Sequence, residues 1–189
     1  MTRCGFILLL CVTALGFARA ERYLSVAEAQ KLCFPRATRF EKKTFRCTAE
    51  QVRAIEKQSG IKVRAPQAHA WFAHEADQLV GIMFLDHVIG KHEYIDYVVA
   101  VSPDGKVEQV EILEYRESYG GEIRGTKWRA QFRGKTTSSP LRLNGDIYNI
   151  SGATMSCRHV TEGIKRLLAT FQHVVRPSLS GERVQGDKD

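Results

Sequence analysis

The sequence predicts an α+β domain in which a small antiparallel sheet packs against helices. Three observations carry this. Two short segments near the front each open with a capping box. The middle of the chain runs in period-two and short apolar stretches broken by a tight turn. A late segment carries one apolar stripe at helical spacing.

The first twenty residues, "MTRCGFILLLCVTALGFARA", stand apart. Arg3 precedes an apolar run over residues 6–17, and Ala18-Arg19-Ala20 forms an A-x-A cleavage site, the layout of a secretory leader. The run falls short of the roughly 20 residues a spanning helix needs, so cleavage is expected rather than retention as an anchor. Leu10 is too bulky for the position before a lipidated Cys11, and the twin-arginine signature is absent, which points to the general export route into the periplasm.

Loss of the leader lowers the formal charge from +7 to +5. The basic residues are scattered, so a nucleic-acid partner is not expected, and the mature chain reads as soluble. Cys33, Cys47 and Cys157 remain. An odd count outside the cytosol suggests a Cys33 to Cys47 disulfide, with Cys157 a small packed thiol. Neither C-x-x-C nor the haem-attaching C-x-x-C-H occurs.

In "YLSVAEAQKLCF", Ser25 caps a helix and Glu28, three residues on, returns the bond; Val26, Ala29, Leu32 and Cys33 share a face. A charged linker follows. "CTAEQVRAIEKQSG" repeats the device with Thr48 and Gln51, and Gly60 stops the helix. Residues 21–60 therefore read as an N-terminal helical cap on a domain spanning residues 61–175.

From Ile61 the texture becomes sheet-like. "LVGIMFLDHVIG", "EYIDYVVAV" and "VEQVEILEY" read as consecutive strands, with "SPDG" at residues 102–105 turning the second into the third. "KWRAQFRGK" has no clear period, and reads as a short helix or a strand-like piece. "TTSSP" is a loop, and residues 141–144 are an extended piece. "SCRHVTEGIKRLLATF" sets Val160, Ile164, Leu167, Leu168 and Phe171 on one stripe, a helix starting at about Ser156 that packs on the sheet. Gly163 within it costs roughly 1 kcal/mol relative to alanine. Residues 176–189 read as a loose tail.

The chemistry concentrates at "IYNISGATMSCRHV", residues 147–160. Gly152 and Ala153 let a ligand approach the backbone closely. The first-turn N–H groups of the following helix, with the hydroxyls of Ser151, Thr154 and Ser156, make a place for an anion, phosphate above all. Ordinary hydroxyl capping of a helix accounts for the same residues. The stretch is not the G-x-S-x-G of a hydrolase, because Asn149 and Ala153 occupy the glycine positions around Ser151, and it lacks the G-K-S/T end of a P-loop. The six histidines, at positions 69, 74, 87, 92, 159 and 173, show no metal-ligand spacing. His159 lies within reach of a phosphate bound at the helix start or faces solvent. Lys135 and Arg133 are candidates to offset its charge. Tyr115, Tyr119, Trp128 and Phe132 are placed either to flank a planar ring or to fill the core.

The stretch from Asp146 through Thr154, "DIYNISGAT", resembles the flavinylation motif of the exported FMN-binding domain family. That family takes in covalent-FMN subunits of bacterial ion-pumping quinone and ferredoxin reductases and related single-domain periplasmic proteins. Its motif is an Asp, a few residues, then Ser/Thr-Gly-Ala-Ser/Thr. The resemblance implies FMN joined by a phosphoester to Thr154, installed from FAD by a dedicated flavin transferase. Ser151, Gly152 and Ala153 would then shape the phosphate turn, and Asp146 would serve transferase recognition. "EYRESYGGEI" is similar to the segment in which Glu117 and Ser118 approach the flavin's polar edge and Gly120 and Gly121 allow close passage; Tyr119 stands where relatives often carry proline. "WRAQFRGK" and the strands from Gly81 extend the likeness to residues 61–171. Four residues separate Asp146 from Ser151, toward the long end of the family's range.

The resemblance implies an FMN-binding α+β fold and an electron carrier rather than a self-contained enzyme, with no catalytic residue and no metal of its own. Its electrons would come from a membrane-bound reductase or cytochrome-like partner, with peripheral membrane association. Two other readings stand beside it: a flavin-free accessory domain of the same fold, and a phosphate-ester enzyme using Thr154 or Ser151, which lacks an evident neighbouring base.

Overall fold

The computed structural model describes residues 21–117 and 119–179. The expected leader, Ser118 and the end of the expected tail lie outside the described residues. The elements in chain order are β1 (Glu21–Arg22), α1 (Val26–Cys33), β2 (Arg39–Arg46), α2 (Ala49–Ser59), β3 (Gln67–Glu75), β4 (Gln78–Ile89), β5 (Tyr94–Val101), β6 (Val107–Tyr115), α3 (Thr126–Arg129) and α4 (Thr154–Thr170). Short 3-10 turns flank α3, and a π-helical turn, Phe171–Val175, extends α4. All six strands form one antiparallel sheet in the order β1-β6-β5-β4-β3-β2. The fold is α+β, as the sequence predicts.

Both capping boxes form. Ser25 Oγ accepts from the Glu28 N–H while the Glu28 carboxylate accepts from the Ser25 N–H at 2.7 Å. Thr48 and Gln51 do the same at the start of α2, and Gly60 ends it in the left-handed region at φ +73°. The stretch between the helices, read as a charged linker, is the edge strand β2, paired with β3 from Arg39 to Arg46. Its charged side chains, five in eight residues, leave the sheet edge unattractive to a further strand.

The sheet is covered on both faces, and the alternation along β5 shows how. Ile95, Tyr97, Val99 and Val101 face one core; Val98 and Ala100 face the other. Helix α1 covers the second face through Ala29, Cys33 and Phe34 against Met83, Val98, Ala100 and Leu113. Helix α4 covers the first through Cys157, Val160, Ile164, Leu167 and Leu168, and α2 packs beside it through Ile55, Ala169 and Val174. The two N-terminal helices thus lie on opposite faces of the sheet, not together. Leu32, expected inward, is half exposed. The opposed placement also undoes the suggested disulfide. Cys33 belongs to the α1-side core and Cys47 lies against the small cluster between α2 and α4 on the opposite side, and among the described residues both thiols are free.

Two glycines mark where helices approach the sheet. A Cβ on Gly81 would lie 2.3 Å from the Phe34 ring, and one on Gly163 would lie 2.0 Å from Tyr97 Oη. Gly163 is therefore no mere weakness in α4. It leaves room for the fully buried Tyr97, whose hydroxyl donates to Asp86 at 2.6 Å, while Arg166 from α4 pairs with the same carboxylate at 2.5 Å. Residues 176–179 continue as helix where a loose tail was expected.

Candidate functional site

Helix α4 begins at Thr154, two residues before the expected start, with Ala153 at the N-cap and no side-chain cap bond. The anticipated hydroxyl cap is therefore absent. The first helical bond runs from the Cys157 N–H to the Ala153 carbonyl at 2.9 Å. The amides of Thr154, Met155 and Ser156 consequently have no intrahelical acceptor, and the helix dipole adds positive potential at the same end. Immediately before it, the Ala153 N–H donates to the Ile150 carbonyl at 3.0 Å, closing a turn that Gly152 enters at φ +83°. Ser151 and Gly152 are exposed, Ala153 is buried, and Thr154 is half-buried.

The backbone leading into this turn is clamped from the 3-10 region. The Tyr148 N–H donates to Gln131 Oε1 at 2.6 Å, and its carbonyl accepts from Trp128 Nε1 at 2.9 Å. Trp128 itself is fixed edge-on to Phe132, with ring centroids 5.1 Å apart. The unclear period of "KWRAQFRGK" has its reason here: α3 and its 3-10 turn, Ala130–Phe132, are a bracket for the loop. The next residue, Asn149, donates from Nδ2 to Thr154 Oγ1 at 3.0 Å. Its Oδ1 is buried and has no hydrogen-bond partner among the described residues. An unmet acceptor of this kind costs about 1–3 kcal/mol.

The second predicted segment meets the first through Gly120. At φ +85° its missing Cβ would lie 2.7 Å from Ala153 Cβ and 2.8 Å from Tyr115 Oη. Tyr115 donates to the Tyr119 carbonyl and lies 3.2 Å from Ser156 Oγ. With the phenol proton committed to that carbonyl, Ser156 donates to Tyr115. Ser156 is thus buried and turned inward, tying β6 to α4. Burial pushes the Tyr115 phenol up, which keeps it a donor.

The other predicted residues serve the frame. Asp146 accepts from the Arg142 N–H at 2.8 Å, the Leu141 N–H at 3.3 Å and Lys135 Nζ at 2.8 Å. Burial pushes its carboxyl up, but these donors outweigh burial and hold it below the usual range. Glu117 accepts at Oε1 from the N–H groups of His92, at 2.6 Å, and Glu93, at 3.0 Å, pinning the loop between β4 and β5. Its carboxyl too is held low by these amides against the upward push of burial. His159 reaches the same loop, bonding the Ile89 and Gly90 carbonyls through Nδ1. Arg133 bonds the Glu108 carbonyl. Ser118, also predicted here, lies outside the described residues. Of the aromatic candidates, Tyr115, Trp128 and Phe132 are core, whereas Tyr119 is 84% exposed; Tyr148, which the sequence did not single out, is 78% exposed. With Met155, the second residue of α4, the two tyrosines leave three large side chains open to solvent on residues close to the turn in sequence. Among the described residues, no group of three or more His, Cys, Asp or Glu is placed to hold a metal, and no helix is long and apolar enough to cross a membrane. Two cavities of about 300 and 270 Å³ lie elsewhere, one at the end of α2 and one beside Phe34.

Asn149 and the Gln131 and Trp128 bracket were not read as a unit from the sequence. The signal for Asn149 was its position five residues before Thr154, across a turn with glycine at its corner.

Comparison with known proteins covers this same region. Residues 90–169 match the family described as the FMN-binding domain, a span that contains Gly120, Asp146, Asn149 and Thr154. The fold is similar to the crystal structure of NqrC from Shewanella oneidensis, with a TM-score of 0.51 and 18% sequence identity over 74% of this chain and 83% of that chain. No curated protein matches by sequence.

Proposed function

We propose, with residues 90–169 as an FMN-binding domain, that this chain is an exported electron-transfer flavoprotein whose FMN is held by a phosphoester to Thr154 Oγ1. The observation that carries this is the meeting of Gly120 with Ala153 directly before Thr154 at the first position of a 17-residue helix. Three features of the site fit such a group. The amides of Thr154, Met155 and Ser156 suit a phosphate. The buried Asn149 Oδ1 suits a sugar-alcohol hydroxyl. Gly152, with no described residue within 4 Å of a Cβ built on it, leaves the turn open on its outer side.

When bound, the flavin supplies one- and two-electron redox chemistry. The chain fixes where it sits: Thr154 tethers it, the helix start neutralises the phosphodiester, and Tyr119, Tyr148 and Met155 offer apolar surface to the ring. Glu117 and His159 hold the hairpin loop beside β6, and Asp146 with Lys135 holds the approach to the turn. A ring tethered on this open surface would be accessible to partners, as a carrier between a membrane-bound reductase or cytochrome-like donor and a further acceptor requires. A covalent tether suits the periplasm, where dissociated FMN would be lost.

Co-expression with a flavin transferase tests the reading. The denatured protein gains the mass of one FMN less water, located on the peptide containing Thr154, and Thr154→Ala gains none. Unchanged wild-type mass, with a control substrate fully labelled in the same cells, overturns it.

A further inference from the structure

Among the described residues, Asn149 is the one hydrogen-bonded to the Thr154 hydroxyl. The acidic residue of the motif, Asp146, is spent on Lys135 and on the Leu141 and Arg142 amides. We propose that Asn149 is the positioning residue for attachment: its Nδ2–H bond holds Thr154 Oγ1 in the orientation from which it is esterified. This rests on the phosphoester reading above.

The argument begins with the threonine. A hydroxyl at the first position of a helix has staggered χ1 wells open to it, since no preceding turn is present to exclude them. Attack on phosphorus needs one of these, with an oxygen lone pair facing the donor. Asn149 selects it. Its own backbone is immobilised on both sides, because Tyr148 is bonded through its N–H to Gln131 and through its carbonyl to Trp128. The turn between them is closed by the Ala153 N–H to Ile150 carbonyl bond. The 3.0 Å Nδ2 to Oγ1 bond then straps the two flanks of the turn together. It uses one lone pair of Oγ1 and leaves the other lone pair and the proton available.

The transfer balances as follows. Oγ1 bonds to the FMN phosphorus of flavin adenine dinucleotide, the pyrophosphate bond breaks, and AMP leaves. The hydroxyl proton passes to a base of the transferase or to solvent. Donation from Nδ2 persists in the ester, since the bridging oxygen still accepts. Asn149 Oδ1, buried and without a hydrogen-bond partner among the described residues, is suited to take a hydroxyl of the incoming flavin's side chain.

The test is the labelling rate of purified full-length mature protein by flavin transferase with FAD, followed by intact mass. Asn149→Ala and Asn149→Asp are compared with wild type, and the carboxylate of the isosteric Asn149→Asp is able only to accept, reversing the bond. The expected result is a fall of roughly tenfold to a hundredfold in the rate at saturating substrate. The half-saturating concentration stays within about twofold, as expected when the transition state rather than docking is affected. Melting temperatures of the unlabelled proteins remain within a few degrees. If Asn149→Ala loses its cooperative melt, Asn149→Asp decides. Wild-type rates in the folded variants, or a defect confined to the half-saturating concentration, overturn the positioning role. Thr154→Ala run alongside separates the two claims: labelling of that variant sinks the phosphoester reading itself, whatever Asn149 does.

Discussion

Gly120→Ala should damage this protein more than any other glycine substitution near the turn, and neighbouring glycines show why. Two costs combine at Gly120. Its φ of +85° lies in the left-handed region, which costs a side chain about 1 kcal/mol. The new Cβ also meets Ala153 Cβ at 2.7 Å and Tyr115 Oη at 2.8 Å, so β6 and α4 must separate, an overpacking cost of about 1–3 kcal/mol. The sum is about 2–4 kcal/mol. Gly152 carries only the first cost, since its φ is +83° and a Cβ there meets none of the described residues within 4 Å, so Gly152→Ala should lose about 1 kcal/mol. Gly121 carries neither, because its φ is not positive and its nearest neighbour is the flexible end of Arg124 at 3.5 Å. Gly121→Ala should change stability by under about 0.5 kcal/mol. Urea unfolding followed by far-ultraviolet circular dichroism ranks the three directly. A Gly120→Ala variant no less stable than Gly152→Ala would refute the contact between the two loops, and with it the reason for joining them into one site.

Gly163→Ala should destabilise although helix propensity favours alanine by roughly 1 kcal/mol. Its Cβ falls 2.0 Å from Tyr97 Oη, and moving that ring breaks the bond to Asp86, so a net loss of about 2 kcal/mol is expected by thermal melting. Acid should reveal Asp146. Its folded carboxyl is held below its unfolded value, so its stabilisation is full above the ordinary range of about 4 and fades as pH falls through the folded value. Asn at position 146, made as Asp146→Asn, should remove that part of the acid dependence; an unchanged slope of stability between pH 5 and 2, within about 10%, would contradict it. The three thiols at positions 33, 47 and 157 should resist alkylation in the folded state at neutral pH. Burial raises all three, Cys33 to about 12, and rapid native labelling of Cys33 or Cys157 would contradict the packing described.

What was legible in the sequence was what is local. The capping boxes at Ser25 and Thr48 need only four residues to declare themselves, and the strands β4, β5 and β6 carry enough apolar residues to be seen singly. Strand β2 was missed because five of its eight residues are charged and only Phe40 and Phe45 point to a packed side; its strand character comes from pairing with β3. Strand β3 hid behind small inward residues, Ala68 and Ala70, whose burial reflects close approach of layers more than hydrophobic strength. That α1 and α2 cover opposite faces depends on β2 passing between them, which no window of sequence contains. At the site, Thr154, Gly152, Ala153 and Gly120 were found by pattern. Their assembly was not, because Ser156 looked like a surface donor until its hydroxyl was seen to face Tyr115, and Asn149 looked like loop.

The phosphoester at Thr154 is the central claim, and peptide mass mapping of transferase-treated protein tests it most directly. After denaturation and digestion, FMN should remain on the peptide carrying Thr154, with fragment ions placing it on that residue and not on Ser151 or Ser156. Flavin released entirely on denaturation, or found on another residue, would contradict the account.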